Sequence, residues 1–112
     1  MTLLEAKDFL KSKYFSNCKT AKEVQEVLGE YTLECFGEKN GNKAMSELQK
    51  IQTKLARKNP VPTPEIMNVM FSEFGTYVKK KKLAVKDDFN PTTFVIMTVV
   101  AAELEAELSA AE

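Results

Sequence analysis

Apolar residues recur along the chain at three- and four-residue steps, the spacing that gathers them on one side of an α-helix. Val24, Val27, Leu28, Tyr31 and Cys35 share a face, as do Ala44, Met45, Leu48, Ile51 and Leu55. Ile66, Met67, Met70, Phe71, Phe74, Tyr77 and Val78 cover a broader face, wide enough to touch two neighbours. Leu3, Ala6, Leu10 and Tyr14 form a shorter and less one-sided set. The stretch Thr92–Val100 is apolar on every side and rich in β-branched residues, so its first half also fits a buried strand. Helix is the better reading, because Asn90-Pro91 is a start signal and "AAELEAELSAAE" continues with strong helix formers. Met97, Val100, Ala101, Leu104, Leu108 and Ala111 then form one continuous stripe.

Start signals divide the chain at matching places. Thr2 with Glu5 and Thr20 with Glu23 fit the capping box, in which the threonine hydroxyl accepts from the third helical amide and the glutamate reaches back. Thr63-Pro64 and Asn90-Pro91 each set a good N-cap residue before a proline whose missing amide proton costs nothing in the first turn. Gly37 to Gly41, "GEKNG", reads as a breaker with Asn42 starting the next helix. Breakers at Asn59 to Pro64 and Lys86 to Pro91 have ordinary loop lengths. The expectation is an all-α protein, a single compact bundle of about five helices over residues 1–112 as one domain.

The run Lys79–Lys82 invites a nucleic-acid reading, yet Lys81 falls in the middle of the Met70/Phe74/Tyr77 face, where a charge cannot stay packed. The helix is therefore expected to end near Lys80, where the unpaired carbonyls and the macrodipole favour positive charge.

Composition narrows the function. A length of 112 residues, 44% hydrophobic and 29% charged, is that of one globular domain. The longest charge-free apolar run, Phe94 to Ala102, is far below the roughly 20 residues that cross a bilayer. Charges at Glu5, Lys7 and Asp8 interrupt what a secretory leader would keep apolar, which favours a cytoplasmic location. The chain contains no histidine, which removes imidazole-based triads and His-ligated metals. Its four glycines form no phosphate-binding pattern. Asp87, Asp88 and Asn90 lack the ligand spacing of an EF-hand and read as a loop and cap cluster. Cys18 and Cys35 read as free thiols, Cys18 with a somewhat lowered pKa from Lys19 and a nearby helix N-terminus, but with no base to make it a nucleophile. No enzyme activity, cofactor or metal is expected.

The remaining signal is charge sorted by sign. Glu23, Glu26, Glu30 and Glu34 form a ridge opposite the Val24/Leu28/Tyr31 face, and Lys43, Lys50, Lys54 and Arg57 form one opposite Met45/Leu48/Ile51/Leu55. A protein with 16 acidic and 16 basic residues that needed only solubility would intersperse them. These ridges are the candidate partner-binding residues, and Val95, Ile96 and Val99 are the candidate oligomer contact. The reading is a small non-enzymatic protein-binding module, a regulatory, adaptor or inhibitor protein of the kind a phage or mobile element carries. Two alternatives stand beside it: nucleic-acid binding through the basic ridge, and an assembly protein that oligomerises through its last helix. Arg57 is the one arginine among 16 basic residues, which counts against nucleic acid.

Overall fold

The computed structural model describes residues 2–58, 63–83, 85 and 89–111. Among them there are four helices and no strand: α1 (Leu3–Tyr14), α2 (Ala21–Lys58), α3 (Pro64–Lys80) and α4 (Pro91–Ala111). The strand alternative for the start of α4 is thereby corrected. Asn90 caps that helix, its side-chain oxygen accepting from the amides of Thr92 at 2.9 Å and Thr93 at 3.3 Å. Five successive residues, Phe94 to Thr98, are buried, so the β-branched composition answers to burial on all sides and not to a pleat.

The other start signals act as hydrogen bonds. Thr2 and Glu5 make the full capping box, and Thr63 accepts from the Ile66 amide at 3.3 Å with Pro64 in the first turn. Thr20 accepts from the Glu23 amide at 3.2 Å. The Glu23 carboxylate then turns to the Lys19 amide and the Thr20 hydroxyl, both at 3.3 Å, where a standard box would engage the Thr20 amide.

Five expected helices become four because Glu38 to Gly41 is helical and Asn42 lies inside α2, not at a start. The break is confined to Gly37, at φ 79° and ψ 172°, a region essentially closed to residues with a Cβ. Gly41 has a different task. A Cβ there would lie 3.0 Å from Cγ2 of Thr32, although nine residues of straight helix would separate the two by about 13 Å. Between Thr32 and Gly41 the chain therefore turns back on itself, one glycine supplying the dihedral and the other the close approach. A Cβ at Gly37 would meet nothing within 4 Å, so Gly37→Ala isolates the backbone term. It is expected to cost about 1–3 kcal/mol, read as a lower urea midpoint at unchanged m-value; an unchanged midpoint would contradict the assigned kink.

The contacts divide the chain into two compact units, Met1–Tyr31 with Ile96–Glu112, and Thr32–Val95. In the first, Lys7 pairs with Glu103 at 2.7 Å and Lys11 with Glu107 at 3.8 Å. Both pairs advance by four residues, so α1 and this part of α4 run in the same direction. Tyr14 packs edge-on against Tyr31, ring centroids 5.3 Å apart. The second unit is built on aromatic rings. Phe74 and Phe94 stack at 5.4 Å with 12° between planes, and Phe36 meets both edge-on at 6.4 and 5.2 Å.

The α3 terminus is where the lysine phase places it. Lys81 is the C-cap and Lys82 takes φ 52°. The Leu83 amide donates to the Val78 carbonyl and the Lys82 amide to the Lys79 carbonyl, the paired bonds of a Schellman motif. A lysine occupies the left-handed position that glycine usually fills. Of the two expected loops, residues 59–62 and 86–88 lie outside the described residues.

Candidate protein-docking groove

The Thr32–Val95 unit carries two adjoining surface depressions between the second arm of α2 and α3. One, of about 370 Å³, is lined by Asn42, Lys43, Ser46, Glu47, Lys50 and Tyr77. The other, of about 450 Å³, takes in Glu47, Ile51, Glu73, Tyr77, Lys80 and Lys81. Glu47 and Tyr77 belong to both, which makes the two a single groove with a half-buried tyrosine at its waist.

Helical spacing explains the lining. Asn42, Lys43, Ser46, Glu47 and Lys50 fall at steps of one, three and four residues, one side of the arm that begins after Gly37. Tyr77 lies on the edge of the broad α3 face. Lys81, one turn later, is the C-cap where the helix has ended, and it is exposed beside the groove that it lines.

Four lysines, Lys43, Lys50, Lys80 and Lys81, thus border the groove against Glu47 and Glu73. Lys54 Nζ lies 3.5 Å from Glu73 Oε1, which balances that carboxylate from outside and leaves the groove positive. Asn42, Ser46 and Tyr77 add groups that can donate or accept, and the excess of lysine over glutamate suits the groove to carboxylates or other anions.

The basic ridge is only partly a unit. Lys43 and Lys50 line the groove, Lys54 is held by Glu73, and Arg57 is exposed outside the lining. Lys80, Lys81 and Tyr77 are additions that helix-by-helix reading assigned to a terminus and a core face. Their signal was the shared phase of Lys81 and Tyr77.

Of the acidic ridge, Glu26 and Glu30 are exposed on the first unit, Glu23 is engaged in its cap, and Glu34 is exposed on the second unit. The expected oligomer contact needs correction: Val95 is fully buried and Ile96 is 6% exposed within the chain, so neither is available to another molecule. Val99 is half-buried.

Neither Cys18 nor Cys35 is in a disulfide. The pKa of Cys18 is raised, not lowered: burial is the largest cause, followed by the charges of Glu23 and Glu26. A thiol shifted upward is mostly protonated near neutral pH, so alkylation by iodoacetamide is expected to be slower in the folded protein than in urea. Glu26→Gln should speed it; faster labelling of the folded form would overturn the assignment. Asp87 and Asp88 lie outside the described residues. Among the described residues no helix is long and apolar enough to cross a membrane.

No protein-family model, curated protein or solved structure matches this chain.

Proposed function

We propose that this chain is a small non-enzymatic protein-binding module, regulatory or adaptor in role, whose groove between α2 and α3 docks an acidic segment of a partner protein. The observation that carries this reading is the convergence of Lys43, Lys50, Lys80 and Lys81, from two helices, around Tyr77. A tyrosine with an apolar body and a polar tip, ringed by charge, resembles the centre-and-rim anatomy of protein interfaces.

Nucleic acid is the weaker reading for the same surface. A phosphate backbone needs a continuous cationic track, and Glu47 sits in the middle of this one. The bidentate donors that nucleic-acid surfaces favour are also missing from the lining, which holds lysines and no arginine.

Fluorescence anisotropy at low salt decides between them, with a labelled glutamate-rich helical peptide and with single- and double-stranded DNA of equal charge. The peptide is expected to bind more tightly than either DNA. Lys43→Glu with Lys50→Glu should weaken it roughly tenfold, about 1.4 kcal/mol over two rim pairs. Failure to bind the peptide, or tighter binding of DNA, would sink this proposal.

A further inference from the structure

We infer that the groove's occupant is a second copy of this chain, presenting the acidic stripe on the first arm of its α2. This rests on reading the groove as a protein-docking surface and goes further by naming what fills it.

The two surfaces match in charge. Glu26 and Glu30 are exposed on one arm of α2, and Lys43 and Lys50 are exposed on the other. Laid side by side, the acidic arm of one copy and the groove of another bring carboxylates opposite ammonium groups. Both surfaces lie on uninterrupted helical arms, one ending before Gly37 and the other beginning after it, so neither is broken by the kink.

Each surface is also costly when left alone. Glu26 and Glu30 stand four residues apart with like charge, an arrangement that weakens an isolated helix. Lys50 and Lys54 repeat the pattern with opposite sign, and the structure relieves Lys54 through Glu73. A second copy relieves Lys50 and Glu30 in one contact. The chain as a whole is formally neutral, so two copies approach without net repulsion while their local fields orient them.

Lys50 and Glu30 are both exposed, and the α2 cap is made by Glu23 with Lys19 and Thr20 and not by Glu26 or Glu30, so reversing these two spares the fold. Charge exchange therefore gives a clean test by sedimentation velocity at low and moderate salt, with far-UV circular dichroism confirming that every variant is folded. Wild-type protein should associate at low salt and dissociate as salt screens the contact. K43E/K50E alone and E26K/E30K alone should each remain monomeric, since each then carries one sign on both surfaces. An equimolar mixture of the two should associate again, because the reversed groove of one variant meets the reversed stripe of the other. A monomeric wild type at low salt, association that survives either reversal, or a mixture that stays monomeric would each overturn the inference. A wild type that is monomeric yet binds the glutamate-rich peptide removes the second copy as occupant and leaves the groove's role standing; one that does neither removes both.

Discussion

Replacing Phe94 by alanine is expected to remove about 3–5 kcal/mol of stability, the range for deleting a buried phenylalanine side chain. Phe94 is fully buried and is the ring that ties the aromatic cluster together. It stacks on Phe74 at 5.4 Å and meets Phe36 at 5.2 Å and Phe89 at 6.1 Å. Truncation removes the transfer energy of the ring, leaves a cavity bounded by other rings that cannot collapse easily, and forfeits ring–ring terms of about 0.5–1.5 kcal/mol each. Against the 5–15 kcal/mol typical of a whole domain, that is a large fraction. Urea titration would show the loss as a lower midpoint. Phe94→Leu, which keeps most of the volume, should lose less than half as much; equal losses would mean that the bulk of the side chain contributes nothing and the ring contacts carry the whole effect.

Val95→Asp is expected to be still more disruptive, and it separates core from interface. Val95 is fully buried, so the new carboxylate has neither water nor a cation, a situation costing several kcal/mol. Burial disfavours the charged form and raises that carboxyl's pKa in the folded state above the ordinary aspartate value of about 3.9. The sign follows from linkage: the unfolded chain ionises first, so the deficit grows as pH rises above about 4 and shrinks on acidification. The expected result is loss of the cooperative thermal transition at neutral pH, partly regained in mild acid. Val99→Asp, at a half-buried position, should still fold, with a loss near 1 kcal/mol. A Val95→Asp protein as stable as wild type would disprove the buried assignment, and one that folded but changed only its association state would restore the interface reading for this position.

These variants mark where local sequence suffices. Helix starts at Thr2, Thr20, Thr63 and Asn90 were legible because a cap is a hydrogen bond between residues two or three apart, whatever surrounds it. The end of α3 was legible for a related reason: the phase of Lys81 conflicts with burial, and a conflict inside one helix needs no neighbour to be noticed. The same holds for the faces, since Val24, Leu48, Met67 and Phe74 are buried as their periodicity requires.

What escaped depends on groups distant in the chain. "GEKNG" announced a break, but whether it became a loop or a one-residue kink turned on Gly41 reaching Thr32, an approach that exists only once the chain has turned at Gly37. Val95 and Ile96 looked equally fit for a core or for a partner, because hydrophobicity drives burial without specifying which surface does the burying. Lys80 and Lys81 joined Lys43 and Lys50 only when α3 packed beside the second arm of α2. Charge along one helix follows from its sequence and its 3.6-residue turn; a groove needs two helices, and its members are chosen by packing between residues some 30 positions apart.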